Sequence, residues 1–285
     1  MLKVLLIGSC GQLGSDIVRT KPDSVELLLS DIQDLDITNR ANTVSVIKKT
    51  MPDLLINTAA YVRVDDAEDN TDEAFKINAA GVKNLVDASN EINSAILHIS
   101  TDYVFDGSKK PVPYNENDAA NPLNVYGITK YAGELFIKNY ALKSYIIRTA
   151  SLYGKSGASG KGGNFVFTVL NRIKNAQAMR IVNDIHMSPT CTYDLAEEIW
   201  KLILEKKPYG LYHMTNSGHC SWHEFAKKIS SISGFSAEIL PISHKEYLTK
   251  AKRPHWSPLI SVKGIKMRPW EAALESFINE LFKVS

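Results

Sequence analysis

The sequence predicts an α/β protein with a doubly wound parallel sheet, followed by a smaller C-terminal α/β region. Over the first 150 residues, short runs rich in Val, Ile and Leu alternate with segments whose apolar residues recur at helical spacing. Such alternation is typical of parallel sheets with helices on both faces. The strand-like runs are almost entirely apolar, as expected for strands that are covered on both sides.

The predicted elements of this first part follow one another regularly. Strands are expected at residues 4–7, 25–29, 54–57, 95–99 and 144–148. Helices are expected at residues 12–19, 43–50 and 73–90, and in the stretch that begins at residue 124. Parallel strands present their carboxyl ends at one edge of the sheet, and ligands of such proteins bind there. We therefore look for functional residues just after each strand.

The pattern becomes irregular beyond residue 150. Residues 154–163 read GKSGASGKGG, and we expect a mobile loop over a site, while closure of residues 157–163 over a substrate is left open. Helices are predicted near residues 165–174, 192–204, 221–231 and 270–282. These elements predict a smaller α/β region and not a second doubly wound sheet.

Composition and charge exclude several classes of protein. The 285 residues are 44% hydrophobic and 22% charged, as in ordinary globular proteins. A net charge of +2 gives no electrostatic reason to expect nucleic acid or a membrane surface as partner. No apolar run approaches the roughly 18 residues of a membrane span, and the first residues lack the pattern of a signal peptide. Three widely spaced cysteines argue against a disulfide framework, so we expect a cytoplasmic protein.

A glycine-rich motif, GSCGQLG at residues 8–14, lies between the first predicted strand and the first predicted helix. Glycine permits a tight turn and lets the backbone approach a pyrophosphate, whose charge the helix N-terminus stabilises. The spacing is GxxGxxG and not GxGxxG, and a purely structural turn is the alternative. We interpret the motif as the dinucleotide loop of a Rossmann-type sheet.

Residues at the next strand ends suit the same ligand. Asp31 follows the second strand, 17 residues after Gly14, where a carboxylate can accept hydrogen bonds from an adenosine ribose. Its charge would repel a 2′-phosphate and favour NADH over NADPH, although a strand end often carries an Asp for other reasons. Asp36 and Ile37 could flank the adenine. The small residues of NTAAY, at 57–61, would let a dinucleotide lie across the strand end.

Tyr126 and Lys130 stand four residues apart in a predicted helix and therefore on one face of it. A free phenol has a pKa of about 10. A nearby ammonium would lower that pKa, so Tyr126 could protonate a carbonyl oxygen as hydride reaches the carbon. Thr101, in the string STDYVF at 100–105, could donate to the same oxygen. This spacing also arises by chance in a chain with 12 tyrosines, so the surrounding motifs must support the interpretation.

Taken together, these motifs resemble those of the extended short-chain dehydrogenase/reductase superfamily, and within it the dTDP-4-dehydrorhamnose reductases. The resemblance covers nearly the whole chain. Its most specific parts are STDYVF at 100–105, SPT at 188–190, GLYH at 210–213 and RPW at 268–270.

The resemblance implies an oxidoreductase that uses NADH or NADPH to reduce the 4-keto group of dTDP-4-dehydro-L-rhamnose to dTDP-L-rhamnose. It implies a catalytic triad of Thr101, Tyr126 and Lys130, with Thr101 and Asp102 touching the sugar. The expected cofactor-binding residues are Gly8, Gly11, Gln12, Leu13, Gly14, Asp31, Asp36, Ile37, Ala59, Ala60, Tyr61, Tyr126 and Lys130.

Two departures from the family pattern bear on the substrate. Ser151 stands where many members carry a Trp against the sugar, and Arg63 adds a charge near the cofactor end. Ser151 is still predicted to bind substrate, as is Arg253, whose guanidinium offers a bidentate fork to a diphosphate. The alternatives left open are a ketoreductase for another nucleotide-linked deoxysugar, a catalytically silent regulator that binds dinucleotide, and an epimerase or dehydratase, for which Asp102 would be the acid beside Thr101.

The resemblance also bears on metal, assembly and domains. Some members hold Mg²⁺ through glutamates at a dimer interface; Asp16 stands at the first such position, the other positions have no counterpart, and no metal is expected. The expected partner is a nucleotide-sugar substrate, and a homodimer is left open. We assign residues 1–150 to a dinucleotide-binding domain with a return segment near residues 180–205, and residues 151–285 mainly to a substrate-binding domain.

Overall fold

The computed structural model describes residues 1–157 and 163–283, and its centre is a parallel sheet of six strands. The strands of the chain are β1 (Leu2–Ile7), β2 (Val25–Ser30), β3 (Leu54–Asn57), β4 (Ala95–Thr101), β5 (Ser144–Thr149), β6 (Leu152–Tyr153), β7 (Met179–Val182), β8 (His186–Met187), β9 (Thr190–Cys191), β10 (Gly210–His213), β11 (Asn216–Ser217), β12 (Cys220–Ser221), β13 (Ile239–Ile242) and β14 (Met267–Pro269). The central sheet has the order β10-β5-β4-β3-β1-β2. The predicted α/β class with a parallel sheet is confirmed.

Helices cover both faces of this sheet. Over the described residues, the helices of the sheet layers and of the smaller region together are α1 (Gln12–Arg19), α2 (Arg40–Thr50), α3 (Thr71–Phe75), α4 (Val82–Glu91), α5 (Val125–Tyr140), α6 (Phe165–Lys174), α7 (Thr192–Leu204), α8 (Trp222–Ser233) and α9 (Trp270–Lys283). Side chains alternate along β1, so that Val4 packs with α1 and α7 on one face and Leu5 packs with α2, α4 and α5 on the other. This explains why the strands are apolar throughout.

Two predicted helices differ in detail from the structure. The predicted helix 43–50 begins three residues earlier, because Asn39 caps α2 by accepting a hydrogen bond from the Asn42 N–H, and its first turn carries no apolar pattern. The predicted helix 73–90 consists of α3, a π-helical segment (Lys76–Gly81) and α4. Apolar spacing does not distinguish a widened turn from a regular one.

Asn78, within the π-helical segment, connects three parts of the fold. Its Oδ1 accepts from the Tyr61 N–H at 2.8 Å, and its Nδ2 lies 3.0 Å from both the Tyr61 carbonyl and Thr129 Oγ1. The side chain is buried, and every polar atom of it has a partner. Asn78 thereby ties the chain after β3 to helix α5, on which Tyr126 and Lys130 lie.

After β5 the chain forms the smaller region and also returns to the sheet. Helix α7 packs beside α1, where Trp200 Nε1 donates to the Ile17 carbonyl at 3.1 Å, and β10 then extends the sheet next to β5. The short strands pair as β6 with β9, β7 with β13, β8 with β12 and β11 with β14. Tyr153, Phe225 and Phe277 form the aromatic centre of this region, between α6, α8 and α9. The domain boundary at residue 150 stays a prediction.

A buried ion pair holds α5 against the sheet. Arg148 on β5 donates from Nε to Glu134 Oε1 at 2.9 Å and from Nη2 to Oε2 at 2.6 Å, and Ser100 on β4 donates to Oε1 as well. Both charged side chains are only 4% exposed. Each charge therefore depends on the other, because water cannot replace a missing partner.

We expect Glu134→Gln to lower the free energy of unfolding by about 3 kcal/mol, because it leaves the Arg148 charge buried without a counterion. Urea denaturation measures the change. The matched control is Glu91→Gln, which breaks the exposed pair between Glu91 Oε2 and Lys48 Nζ at 2.7 Å and should cost less than about 1 kcal/mol. Equal losses in the two variants would contradict a stabilising role for the buried pair.

Candidate active site

A cavity of about 680 Å³ runs along the carboxyl ends of the central strands. Its size lies within the range of small-molecule sites. Most of the residues predicted for cofactor, catalysis and substrate line it, namely Gly8, Gly11, Gln12, Leu13, Asp31, Asp36, Ile37, Ala59, Ala60, Thr101, Asp102, Tyr126, Lys130, Ser151 and Arg253. Gly14 and Tyr61 lie outside its lining: Gly14 packs beneath the loop, and the Tyr61 hydroxyl donates to Asp66.

The loop between β1 and α1 is packed so closely that only glycine fits at two positions. At Gly8 the φ angle is +81°, and a Cβ atom would lie 2.8 Å from Thr58 Oγ1. At Gly14 a Cβ atom would lie 2.2 Å from the Gly8 carbonyl oxygen. The loop thus brings bare backbone and the start of α1 to the cavity. This arrangement suits the pyrophosphate of a dinucleotide.

Asp31 is fixed by the backbone around the same loop. Its Oδ2 accepts from the Cys10 N–H at 3.0 Å and its Oδ1 from the Ile32 N–H at 2.9 Å. Burial acts to raise the pKa of Asp31, but the hydrogen bonds from Ile32 and Cys10 outweigh it and hold the pKa below its usual value. The carboxylate is therefore charged throughout the neutral range and stands at the edge of the cavity.

Tyr126 and Thr101 both line the cavity, Thr101 as the last residue of β4 and Tyr126 in the first turn of α5. Burial of the phenol raises the pKa of Tyr126 above its usual value, and the Thr101 side chain acts in the opposite direction. The expectation that Lys130 lowers this pKa is wrong for this structure, since burial dominates. The phenol keeps its proton at neutral pH, as a proton donor must.

Lys130 lies below Tyr126 on the same face of α5 and is almost fully buried. Its Nζ donates to the Ile99 carbonyl at 2.5 Å and lies 3.3 Å from His98 Nε2. Burial lowers the pKa of Lys130 to about 8, although the negative charge of Glu134 opposes the shift. Lys130 therefore changes its charge close to neutral pH.

Asp102 is buried next to Thr101 and has a partner that the sequence did not reveal. Ser257 Oγ donates to Asp102 Oδ2 at 2.5 Å, and Thr101 Oγ1 donates to Oδ1 at 3.2 Å. Burial raises the pKa of Asp102 to about 6 despite these hydrogen bonds. Ser257 stands 155 positions away in the chain, and no local pattern points to it.

Arg253 reaches the cavity but already has partners within the protein. Its Nη2 donates to Asp65 Oδ2 at 2.6 Å and its Nη1 to the Tyr103 hydroxyl at 3.2 Å. Its Nε is buried and has no partner within residues 1–157 and 163–283. The bidentate fork expected to face a diphosphate is thus turned toward Asp65 and Tyr103. Ser151 lines the cavity with φ at +44°, in the left-handed region.

The C-terminal region contributes a wall that the sequence analysis left without a role. Phe165 and Trp222 line the cavity and meet at a ring-centroid distance of 4.7 Å. Asn164 caps α6 by accepting from the Phe167 N–H at 3.2 Å, and its Nδ2 donates to Gln12 Oε1 at 3.1 Å. Asn164 therefore joins the smaller region directly to the glycine-rich loop.

Asp16 stands where some members of the family carry a metal-binding glutamate, and in this structure it interacts with Thr192 and Arg19. It is buried, accepts from Thr192 Oγ1 at 2.5 Å and lies 3.1 Å from Arg19 Nη2. Among the residues that the structure describes, no group of three or more His, Cys, Asp or Glu side chains is placed to hold a metal ion. Over the same part of the chain, no helix is both long and apolar enough to span a membrane.

Comparisons with known proteins show which family the chain resembles. The family model described as RmlD substrate binding domain matches residues 2–283. The spore coat polysaccharide biosynthesis protein SpsK of Bacillus subtilis (strain 168) is 38% identical, over 98% of this chain and 98% of that protein. A dTDP-4-dehydrorhamnose reductase of Aggregatibacter actinomycetemcomitans is 37% identical, over 97% of this chain and 98% of that enzyme.

A solved structure extends the likeness to three dimensions. The dTDP-4-dehydrorhamnose reductase from Bacillus anthracis str. Ames, solved in complex with NADP, is 38% identical with a TM-score of 0.92, over 98% of this chain and 100% of that one. Matches of this extent, together with the family model, show that the chain belongs to the dTDP-4-dehydrorhamnose reductase family of extended short-chain dehydrogenases/reductases.

Proposed function

We propose that the protein reduces the 4-keto group of dTDP-4-dehydro-L-rhamnose to the hydroxyl group of dTDP-L-rhamnose, with NADH or NADPH as cofactor. The observation that carries the proposal is the meeting of Thr101, Tyr126 and Lys130 in the same cavity as the glycine-rich loop. These residues provide a proton donor, a hydrogen-bond donor and a titratable cation. Membership of the family supports the choice of substrate.

Each of the three side chains has a distinct task in this reaction. The reduced nicotinamide supplies a hydride when it is bound. Tyr126 transfers its proton to the substrate oxygen, and the Thr101 hydroxyl donates a hydrogen bond to that oxygen as negative charge develops on it. Lys130 stabilises the phenolate that Tyr126 becomes. The raised pKa of Tyr126 makes this stabilisation necessary, because a buried phenolate is costly without a cation.

Cofactor and substrate would lie in different parts of the cavity. We assign the pyrophosphate to Gly8, Gly11, Gln12 and Leu13 at the start of α1, with Gly14 holding the loop closed. The adenosine half would lie near Asp31, Asp36 and Ile37, and the dinucleotide would cross the strand end at Ala59, Ala60 and Tyr61. The sugar would lie against Thr101, Asp102 and Ser151, with Arg253 beyond it. Of the predicted mobile loop at 154–163, residues 158–162 lie outside the described part of the chain.

One observation favours a second substrate class. Ser151 places a small polar side chain on the cavity wall, where an aromatic ring could otherwise pack against a sugar. A different nucleotide-linked deoxysugar with a 4-keto group would then be reduced by the same residues. Comparing kcat/KM for dTDP-4-dehydro-L-rhamnose with that for a second dTDP-linked 4-keto sugar distinguishes the two substrates.

We also infer that the protein works in the cytoplasm. Its three cysteines are free thiols, Cys10 exposed and Cys191 and Cys220 buried, which suits a reducing compartment. A homodimer remains a prediction that rests on the family resemblance alone.

We expect Tyr126→Phe to lower kcat by about 10²- to 10⁴-fold, because the ring remains while the transferable proton is lost. The assay follows oxidation of NADH or NADPH in the presence of dTDP-4-dehydro-L-rhamnose. Cofactor affinity, measured by fluorescence titration, should remain within a few fold of the wild type. Tyr131→Phe, on the same helix, is the matched control and should leave kcat unchanged. A Tyr126→Phe enzyme as fast as the wild type would rule out the proposed proton donor.

We expect Asp31→Asn to raise the ratio of kcat/KM for NADPH to kcat/KM for NADH by about tenfold, or about 1.4 kcal/mol, since the variant lacks the charge that repels a 2′-phosphate. Damage to the loop would affect both cofactors and cancel in the ratio. Asp34→Asn, at a neighbouring exposed carboxylate, should leave the ratio unaltered. No change of ratio in Asp31→Asn would show that Asp31 does not face the adenosine ribose.

A further inference from the structure

A buried line of polar side chains runs beneath the proposed catalytic residues, from β3 through β4 to α5. Its members Asn57, His98 and Lys130 are 0%, 0% and 2% exposed. Asn57 Nδ2 lies 3.1 Å from His98 Nδ1, and His98 Nε2 lies 3.3 Å from Lys130 Nζ. The reaction described above uses only Lys130 of these three.

The orientation of Asn57 determines where His98 carries its proton. The Ala59 N–H donates to Asn57 Oδ1 at 3.1 Å, so the amide nitrogen of Asn57 is the atom that faces His98. An amide nitrogen is only a donor, and His98 Nδ1 must therefore accept. Burial and the charge of Lys130 lower the pKa of His98 well below its usual value, so the ring is neutral and its single proton is on Nε2.

The Nε2–H group of His98 points at Lys130. A neutral lysine amine can accept this hydrogen bond through its lone pair while it donates to the Ile99 carbonyl. A lysine ammonium has no lone pair, so the same contact would set one N–H group against another. The fixed ring therefore stabilises the neutral form of Lys130 relative to the charged form, in the same direction as burial.

The charged and titratable groups around Lys130 include Glu134, Tyr126 and Asp102. Glu134, one turn further along α5, favours the charged form, but its carboxylate is shared with Arg148 of β5 and Ser100 of β4. Tyr126, one turn earlier on α5, is protonated, and Asp102 lies beyond it at the end of β4. From β3, the side chain in this line is the uncharged Asn57.

We propose that His98, held by Asn57 with its proton on Nε2, is a positioning residue that makes Lys130 a ready proton donor to Tyr126. After Tyr126 has given its proton to the substrate oxygen, an N–H bond of Lys130 breaks, the O–H bond of Tyr126 forms again, and the neutral amine accepts the His98 N–H. Solvent then reprotonates Lys130. The inference rests on the proposed function for the role of Tyr126, but its structural part can be tested without substrate.

The first experiment determines the tautomer in the unaltered protein. In protein with ¹⁵N-labelled histidine, long-range ¹H–¹⁵N spectra distinguish a protonated Nε2 from a protonated Nδ1, and the signal lost in His98→Gln identifies His98. His213 provides the opposite reference, because its Nδ1 lies 3.2 Å from the carbonyl oxygens of Tyr114 and Ile260 and must donate. We expect His98 to carry its proton on Nε2. A proton on Nδ1 would overturn the proposal.

The second experiment reverses the tautomer with an isosteric change. In Asn57→Asp, a carboxylate oxygen replaces the amide nitrogen opposite His98, so the ring proton moves to Nδ1 and Nε2 accepts from the Lys130 ammonium. We expect the pKa of Lys130, followed through its ¹³Cε resonance and assigned with Lys130→Arg, to rise by about one unit or more. The alkaline limb of the kcat/KM profile should move upward by the same amount. An unchanged titration would contradict the proposal.

If Asn57→Asp does not fold, the variant His98→Gln tests the same proposal. His98→Gln removes the fixed N–H and supplies an amide that can turn its oxygen toward Lys130, so the pKa of Lys130 should again rise. A purely structural His98 would instead lower activity at every pH and leave the Lys130 titration in place, which would overturn the inference. Absence of turnover in the wild type would contradict the proposed function alone, and the two spectroscopic measurements would still decide the role of His98.

Discussion

The structure depends on the ion pair between Arg148 and Glu134, which is buried where water cannot replace either partner. Arg148 and Glu134 join β5 to α5, and Ser100 adds β4 to the same carboxylate. An unpaired charge at this depth would cost several kcal/mol, so positions of α5 on the sheet that separate the two side chains are strongly disfavoured. Because Tyr126 and Lys130 lie on α5, the ion pair also fixes their position relative to the end of β4.

The fold could be predicted from the sequence because its signals are local. Apolar runs, helical spacing and the glycine-rich turn are all read within a few residues, and they placed the first five strands of the sheet. The sixth strand, β10, was not predicted as part of the sheet, since the four residues of GLYH carry no sign of which strand they will join. The π-helical segment was missed because its extra residue leaves the apolar pattern unbroken.

In the candidate site, as in the fold, the sequence predicts what local motifs carry and misses what distant parts of the chain contribute. Residues that belong to motifs, such as Thr101 and Lys130, line the cavity, and their catalytic roles stay predictions. Their partners were not foreseen, because Ser257 reaches Asp102 and Asp65 reaches Arg253 across long separations in the chain. The pKa of Tyr126 was predicted in the wrong direction for a related reason. A charged neighbour can be inferred from spacing, whereas the depth of burial that opposes it depends on the whole fold.

The π-helical segment has a consequence for the evolution of this helix. A regular α-helix advances by about 100° per residue, so one additional residue would turn everything after it by that angle, but the wider π-helical turn takes up the additional residue. Asn78, inside this turn, bonds to Tyr61 and Thr129, while Val82, Leu85 and Val86 of α4 pack in the core on the sheet. Loss of a single residue here would close the wide turn and displace Asn78 relative to its partners. The length of this stretch is therefore constrained more tightly than its composition.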